Sequence, residues 1–476
     1  MTVSDLPGGV TAKSTLTPRA RKVVVVVLIG AILSLLDATV VNVALKSLSE
    51  SLGSSLDAIP WVVTAYLLAQ AAVLPVTGWA ARRIGAKRLY LIALLVFTLA
   101  SIWCGLSDSV GELIGARVLQ GIGGGAMLPA GQIILVTTAG RDGLSKVMAA
   151  VGIPMVLTPV IGPTIGGLLL EYAGWPWIFL INVPIAVVGL ALGLRLLPRD
   201  ARTESVAPLD FLGLTLASLG MVGLTYALAE IGTRGISSTR VLVPLCAGLV
   251  VTALFVARSL RVDHPILDLR LYRDGLYSSA AVATFLFGVA TYGSMVLLPL
   301  YFQIVRDQDV AHTGLLLAPQ GLGAAVAMAV SSRIFDRIGS RICVIGGVIG
   351  AVATLPFLLI GDRTPYWVLG LAMVVRGAGI GLAAMPAMTV ALRRLRPDQI
   401  SDATPQLNIA QRLGGSIGTA VFVVVLDNRL RDSDIRPAQQ SAAFGVTFTW
   451  VLAAAVLAIA PAIAMAVLER RSRPPV

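Results

Sequence analysis

Charged residues are scarce in this chain. They make up 13% of its 476 residues, whereas the surface of a water-soluble domain needs about 25%. The apolar set reaches 56%, and the mean hydropathy is +0.86. These values exclude an ordinary soluble enzyme and indicate one large membrane body. The 48 glycines and 25 prolines lie inside long apolar runs, where packed membrane helices tolerate them, so they do not indicate disorder.

Cysteine and histidine are scarcer still. Cys104, Cys246 and Cys343 lie far apart, each within or at the edge of an apolar run, with neither metal-ligand spacing nor a disulfide framework. We interpret them as packing residues and expect no metal and no other cofactor. His264 and His312 lack the clustered carboxylates or histidines that an intramembrane transferase would need at the membrane surface. An intramembrane enzyme is therefore disfavoured.

Nucleotide-binding motifs are missing as well. The segment GIGGGA at 121–126 has the letters of a dinucleotide fingerprint, but it has no strand before it and lies within an apolar helix. Nothing in the sequence resembles a Walker loop or an ATP-binding domain. The expected energy source is therefore an ion gradient.

Long apolar runs dominate the chain. A bilayer core about 30 Å thick needs ~20 apolar residues per helix. The first run contains Asp37 and is too long for a signal-peptide core, so it is kept as a membrane helix. The sequence predicts fourteen spans, at 23–45, 60–80, 88–107, 113–138, 147–170, 177–194, 211–229, 241–257, 276–303, 313–332, 342–360, 366–390, 403–426 and 444–468.

The positive charges predict the orientation of these spans. With a cytoplasmic N-terminus, 26 Lys and Arg residues fall on the inside and 8 on the outside, as the positive-inside rule requires. Both termini are then cytoplasmic, and the expected location is the plasma membrane. The net charge of +12 does not indicate nucleic-acid binding, because the cations lie at the ends of apolar segments rather than on one soluble face.

A weak internal repeat divides the chain into two halves. The segment RIGAK at 83–87 aligns with RIGSR at 337–341, and LQGIGGGAM in span four aligns with VRGAGIGLA in span twelve at nearly the same offset. Such parallel repeats are typical of secondary transporters. The predicted organisation is a cytoplasmic tail (1–22), a six-helix bundle (23–197), two inserted helices (198–262), a cytoplasmic linker (263–275), a second six-helix bundle (276–468) and a cytoplasmic tail (469–476).

Seven segments along the chain also follow one another in a familiar order. They are LDATVVNVAL (36–45), WVVTAYLLAQAAVLPVTGWAARRIGAKR (61–88), RVLQGIGGGAMLP (117–129), GIPMVLTPVIGPTIGG (152–167), WIFLINVP (177–184), HPILDLRLY (264–272) and QRLGGSIGTA (411–420). Together they resemble the major facilitator superfamily, in particular its 14-span drug:proton antiporters. The resemblance implies an all-α polytopic membrane protein with a major facilitator fold, in which two six-helix bundles and two inserted helices work by alternating access.

The chain departs from this family at two positions. The family usually has an aspartate where this sequence has Arg82. The charge pair that usually closes the cytoplasmic side is therefore not expected in the first half, although the second copy of the repeat retains Asp336. An arginine usually separates the tryptophans at the entry to span six, where this sequence has Pro176. An exterior anchoring contact is therefore expected to be absent.

Asp37 is the only carboxylate placed deep in any predicted span. An isolated ion there costs at least ~2.5–3.5 kcal/mol, so Asp37 should face a cavity or a partner. We predict that Asp37 carries the coupled proton and that Arg117, at the start of span four, exchanges partners with it. The alternatives are a fixed hydrogen-bonding role for Asp37, through Asn42 or nearby backbone, and an Arg117 that snorkels to the headgroups.

Glycines and charges near the helix ends are predicted to control gating. The Gly162–Pro163 pair interrupts the hydrogen-bond ladder of span five and permits a bend, which the resemblance links to gating in antiporters; static packing is the alternative. The predicted gating residues are Gly78, Arg82, Arg83, Gly85, Gly162, Pro163, Gly166, Gly167, Asp336, Arg337 and Gly339.

Polar or aromatic side chains on apolar helices are the candidates for substrate contacts. Large apolar cavities with a few polar anchors suit lipophilic ligands, cations among them. Each candidate could instead hold two helices together. The predicted cavity residues are Asn42, Trp61, Tyr66, Gln70, Gln120, Tyr292, Tyr301, Gln303, Gln320, Arg376, Asn408 and Arg412.

These features predict a plasma-membrane exporter that exchanges lipophilic, often cationic, drug-like compounds for external protons. Its expected partners are small lipophilic substrates, protons and membrane lipids, without nucleic acid, and a monomer is the family expectation. The alternative is an exporter of a specific lipid, siderophore or endogenous antibiotic on the same fold.

Overall fold

The computed structural model describes residues 17–53, 58–200, 207–431 and 436–471, and all regular structure within them is helical. Most of the predicted N-terminal tail and the end of the C-terminal tail lie outside these residues. The α-helices in chain order are α1 Pro18–Ser51, α2 Trp61–Ile84, α3 Ala86–Gly105, α4 Val110–Tyr172, α5 Pro176–Leu180, α6 Asn182–Leu196, α7 Phe211–Arg234, α8 Thr239–Arg261, α9 Gly275–Ile304, α10 Val310–Ile338, α11 Arg341–Val352, α12 Tyr366–Arg393, α13 Pro397–Arg431 and α14 Pro437–Arg471.

The helices agree with the predicted spans. Thirteen helical segments of the described chain are long and apolar enough to cross a membrane; they include Val110–Gly140 of α4 and Arg341–Leu359, in which a 3-10 helix follows α11. The bent pair Gly143–Thr158 and Ile161–Tyr172, the rest of α4, makes a fourteenth if it forms one span. Predicted spans four and five are joined in α4, where Gly140 has φ 65° and breaks the helical geometry. Predicted span six comprises α5 and α6. The chain is a multi-pass integral membrane protein.

Helix ends follow local chemistry. Asp210, Asp274 and Asp309 precede α7, α9 and α10, and each side chain accepts a hydrogen bond from a backbone N–H of the first turn. Such aspartates satisfy donors that have no partner inside the helix. Gly235 and Gly339 end α7 and α10 with φ of 75° and 66°, which only glycine adopts without strain.

Paired glycines let the helix backbones approach closely. A Cβ at Gly125 of α4 would lie 2.8 Å from the Cα of Gln70 in α2, and one at Gly346 of α11 would lie 2.7 Å from the carbonyl oxygen of Gly379 in α12. Gly418 likewise packs against the backbone of α9. Gly125, Gly346 and Gly418 each belong to a GxxxG pair, namely Gly121/Gly125, Gly346/Gly350 and Gly414/Gly418, and the pairs act as interhelical contacts.

We call α1–α6 the first half and α9–α14 the second half. The inner side is the side where α2 ends at Ile84 and α10 ends at Ile338, which the charges predict to be cytoplasmic. On the outer side each half has its own hydrophobic core, around Phe179 in the first and Phe444 in the second. On the inner side one core contains residues of both halves. The two halves are therefore closed against each other on the inner side.

The inserted helices α7 and α8 pack against each other at the junction between the halves. Helix α7 contacts α2 of the first half and α13 of the second. The Ser218 hydroxyl donates to the carbonyl of Ala72 in α2, and the Trp79 indole N–H donates to the carbonyl of Ala207 before α7. The pair thus covers the seam between α2 and α13.

Candidate functional site

Asp37 lies at the centre of a buried polar network in the first half. It is 1% exposed, and its carboxylate accepts hydrogen bonds from Arg117 Nη1 at 2.5 Å, Gln120 Nε2 at 2.9 Å and Asn182 Nδ2 at 3.1 Å. Helices α1, α4 and α6 each contribute to it. The carboxylate therefore faces partners rather than lipid. Asn42, the partner considered from sequence, is not among them and donates to the carbonyl of Ala38.

Arg117 is held from several directions. Its Nε donates to the carbonyl of Val62 at 2.9 Å, its Nη1 also reaches Gln120 Oε1 at 2.6 Å, and its guanidinium lies 4.0 Å from the ring centroid of Tyr66. The side chain is 0% exposed, so the snorkelling alternative is wrong. Its Nη2 and the Oδ1 of Asn182 have no hydrogen-bond partner among the described residues. The network therefore has one unused donor and one unused acceptor among the described residues.

Two further residues extend the network. Gln120 Nε2 also donates to Ser101 Oγ at 2.8 Å in α3. One turn before Asp37 in α1, Ser34 accepts from the Tyr66 hydroxyl through its carbonyl and from Gln70 Nε2 through its hydroxyl, at 3.0 and 3.2 Å. Tyr66, Gln70 and Gln120, three of the predicted cavity residues, therefore belong to the polar network around the Asp37–Arg117 pair.

Contacts between the halves gather on the inner side. Arg82 at the end of α2 forms an ion pair with Asp402 at the start of α13. Gly78, one turn earlier, packs against the carbonyl of Ser401, where any side chain would collide with backbone. We call these four residues the inner gate. Arg82, which stands where an aspartate is usual, therefore forms a different charge pair, and this pair joins the two halves directly.

A second polar contact crosses the seam nearer the membrane centre. Asn408 Nδ2 in α13 donates to Gln132 Oε1 in α4 at 2.7 Å, and both side chains are buried. Ser145 in the same α4 donates to the carbonyl of Ser332 in α10 at 3.3 Å. Asn408 therefore lies at the closed interface in this conformation.

The loops after α2 and α10 have matching anchors. Gly85 has φ 94° and packs against Asp200, whose carboxylate accepts from the backbone N–H groups of Lys87 and Arg88. In the second half, Glu469 accepts from the backbone N–H of Ser340, next to Gly339. The two copies of the repeat thus start the following helix in the same way.

The other predicted gating charges are less constrained. Asp336 pairs with Arg393 of the same half at 3.7 Å, and Arg83 and Arg337 are exposed on the inner side. None of these three makes a cross-half ion pair among the described residues. Of the four charged gating candidates, Arg82 alone forms an ion pair between the halves within the described part of the chain.

The Gly162–Pro163 segment lies against α1 close to Asp37. Helix α4 bends by 51° between Gly143–Thr158 and Ile161–Tyr172. A Cβ at Gly162 would lie 2.9 Å from Cβ of Thr39, and one at Gly166 would lie 3.0 Å from Val40, both in α1. Gly167 faces open space. The predicted bend is present, and it touches the helix that carries Asp37.

The second half carries arginines without acidic partners. Arg376 is 3% exposed, and its guanidinium reaches Gln320 Oε1 at 3.5 Å and the carbonyl of Ala290 at 3.4 Å, both long hydrogen bonds. Arg412 makes no ion pair with any described residue and lies near Tyr66 and Tyr292. Because Arg117 neutralises Asp37, the interior carries an excess of positive charge.

Three cavity candidates lie away from this centre. Trp61 is 41% exposed and stacks on Tyr226 of the inserted α7, with ring centroids 5.7 Å apart. Tyr301 is buried in the outer core of the second half, where its hydroxyl donates to the carbonyl of Gly361. Gln303 is exposed at the end of α9. The structure does not bring these three to the Asp37 network.

Sequence reasoning missed several members of the site. Ser101 and Asn182 lie in ordinary apolar spans, and Asp402 lies 320 residues from its partner Arg82. Gln132 and Ser34 are single polar residues on helix faces whose direction depends on packing. The available signal was that each is a polar side chain inside or beside an apolar run.

Comparisons with known proteins identify relatives of this chain. A family model described as Major Facilitator Superfamily matches residues 27–419. The chain is 37% identical over 417 residues to a Mycobacterium tuberculosis protein named multidrug resistance protein B homolog, covering 86% of this chain and 77% of the relative. It is 30% identical over 446 residues to a Cronobacter sakazakii protein named putative multidrug resistance protein MdtD, covering 93% of each.

Solved structures show the same fold. The human organic anion transporter MFSD10 (TETRAN) matches with a TM-score of 0.65 and 19% identity, over 94% of this chain and all of that chain. The proton:xylose symporter XylE matches with a TM-score of 0.62 and 15% identity, over 91% of this chain and 94% of that chain. At these identities the likeness concerns the fold alone.

Proposed function

Because the chain belongs to the Major Facilitator Superfamily, we propose that it exports drug-like or other lipophilic compounds across the plasma membrane in exchange for external protons. The names of the Mycobacterium tuberculosis and Cronobacter sakazakii relatives support the drug-efflux part of this proposal. The two halves would alternate between an inner-closed and an inner-open arrangement around a site near the membrane centre.

The observation that carries the proposal is the buried Asp37–Arg117 pair. Ionised Asp37 is stabilised by Arg117, Gln120 and Asn182. Protonation removes the charge that holds Arg117, so the guanidinium must find other acceptors, and the packing of α1 against α4 changes with it. A proton taken up by Asp37 from outside can in this way be exchanged for substrate.

The bent part of α4 supports a link from this pair to the rest of the molecule. Gly162 and Gly166 pack on Thr39 and Val40, two and three residues after Asp37 in α1. The first segment of α4, before the break at Gly140, carries both Arg117, the partner of Asp37, and Gln132, which accepts from Asn408 across the seam. A shift of α1 against α4 therefore reaches the contact between the halves through packed backbone.

The proposed test is uptake of fluorescent lipophilic compounds into proteoliposomes with an imposed pH gradient. Wild type should concentrate substrate only with the gradient, and Asp37→Asn should lose gradient-driven uptake. Asp108→Asn, which removes an exposed loop carboxylate, is the matched control and should behave as wild type. Gradient-driven uptake by Asp37→Asn at the wild-type rate would exclude Asp37 from the coupling.

A substrate panel separates the two kinds of exporter. Uptake of many unrelated lipophilic compounds supports drug export, whereas uptake of one membrane lipid or siderophore alone supports the specific exporter. The proposal includes monomeric protein with cytoplasmic termini and the six-plus-two-plus-six division of the spans. Labelling of single cysteines placed at Arg83 and Arg234, on opposite sides of the predicted membrane, tests the orientation.

A further inference from the structure

The inserted helices enclose an apolar cavity that the transport mechanism does not use. Its volume is about 320 Å³, within the usual range for small-molecule sites. Helices α2, α7, α8, α9 and α13 and the linker after α8 form its walls. Its lining includes Pro75, Ala217, Leu224, Phe255, Phe285 and Ile409.

The cavity offers a ligand almost no polar contact. Gln406 lines it, but its Nε2 donates to the carbonyl of Asp268 at 3.0 Å and its Oε1 accepts from the Tyr277 hydroxyl at 3.3 Å. None of the lining residues is charged. A cavity of this kind favours apolar occupants over water, which needs two to four polar partners.

The cavity opens sideways between α8 and α9. Val256 of α8 and Val282 of α9 line it, and they are 38% and 45% exposed. Leu269 and Tyr272 of the linker also line it, so it lies towards the inner side. Arg261 follows Val256 by five residues, or about 7.5 Å along a helix. The opening therefore faces the hydrocarbon just beneath the inner headgroups.

Exposed cations lie at that level. Arg261 and Arg273 are exposed and form no ion pair with any described residue. Arg258, by contrast, forms an ion pair with Asp210 at 2.8 Å. Asp263 and Asp274 are exposed acids in the same stretch. Arginines near the inner surface attract anionic lipids.

We propose that this cavity binds one acyl chain of an anionic phospholipid from the inner leaflet, with the phosphate near Arg261 and Arg273. The chain enters between α8 and α9 and ends against Pro75 and Ile409, which belong to opposite halves. The site is separate from the Asp37 network and does not depend on proton coupling.

The position of the cavity gives the lipid a conformational effect. Pro75 lies one turn before Gly78 in α2, and Ile409 lies two turns after Asp402 in α13, so the two walls belong to the helices that form the inner gate. Opening the gate moves these walls apart. A ligand that fits the closed arrangement favours that arrangement, so the bound lipid should stabilise the inner-closed state.

The test is photocrosslinking of the full chain in nanodiscs. The probe is phosphatidylglycerol with a diazirine near the end of one acyl chain, compared with the same label on phosphatidylcholine. Wild type should be labelled within residues 252–285 and 406–413, with phosphatidylglycerol preferred. Ala410→Phe, which fills the cavity, should lower this labelling roughly tenfold. Ala453→Phe, on an exposed face of α14, is the matched control and should leave it unchanged.

A surface variant keeps the test independent of folding. Arg261→Gln with Arg273→Gln should remove the preference for phosphatidylglycerol, whereas Arg88→Gln, an exposed inner-side arginine of α3, should not. Uniform labelling over the membrane surface, equal labelling in Ala410→Phe and Ala453→Phe, or equal labelling by both lipids in wild type would overturn the proposal.

Discussion

Breaking the Arg82–Asp402 pair should release the inner gate. The two side chains are 24% and 19% exposed, which places the pair between an exposed one, worth ~0.2–1 kcal/mol, and a buried one, whose disruption costs ~3–5 kcal/mol. We expect ~1.5 kcal/mol for loss of one partner, or about a tenfold shift towards the inner-open arrangement. Arg82→Ala and Asp402→Ala should shift the equilibrium by similar amounts.

The populations can be measured by double electron–electron resonance with spin labels at Arg83 and Arg333, exposed inner-side positions in opposite halves. Cys104, Cys246 and Cys343 are replaced beforehand. Each single variant should enlarge the long-distance population. The swapped variant Arg82→Asp with Asp402→Arg should restore the short distance, because the pair joins the halves directly.

The matched control is Arg393→Ala, which removes an ion pair within the second half. It should leave the distance distribution unchanged. If Arg82→Ala and Asp402→Ala also leave it unchanged, or if the swap does not restore closure, the pair does not hold the gate and the reasoning from its position fails.

Three other predictions concern separate parts of the molecule. Burial raises the pKa of Asp210, but the Arg258 guanidinium and the Gly213 N–H outweigh burial and hold the pKa below its usual value. The ionised carboxylate therefore stabilises the folded protein fully above the pKa of the unfolded carboxyl, and this stabilisation is lost as the pH falls through the folded pKa. Asp210→Asn should for this reason flatten the acid side of a profile of melting temperature against pH. Gly418→Leu should lower the melting temperature, because the site faces α9 backbone that cannot move aside; an unchanged melting temperature contradicts the packing. Arg412→Gln should favour transport of cationic over anionic lipophilic compounds about tenfold relative to wild type, and Arg412→Lys should change this preference less, because Lys keeps the charge; equal preferences in both variants would exclude a charge contact.

The fold was largely predictable from the sequence because membrane spans need long apolar runs. The capping role of Asp210 and Asp274 was not predicted, although each stands directly before an apolar run. The Gly162–Pro163 bend followed from a missing backbone donor. The division of α4 into two segments also agrees with predicted spans four and five, because Gly140 has non-helical backbone angles between them.

The site was predictable only where burial of charge restricted the choices. Asp37 and Arg117 are opposite charges in neighbouring apolar helices, and each requires a partner there. Asn182 could not be assigned, because one asparagine at the start of a span has many possible directions. Trp61 was assigned to the central cavity, whereas it stacks on Tyr226, since the sequence does not tell where the inserted helices pack.

The central claim is that Asp37 carries the proton that is exchanged for substrate. The direct measurement is the pH inside proteoliposomes, followed with an enclosed dye while a substrate gradient is imposed without a pH gradient. Wild type should move protons against the substrate flow, and Asp37→Asn should still exchange substrate while moving none. Substrate-driven proton movement of wild-type size in Asp37→Asn would contradict the account.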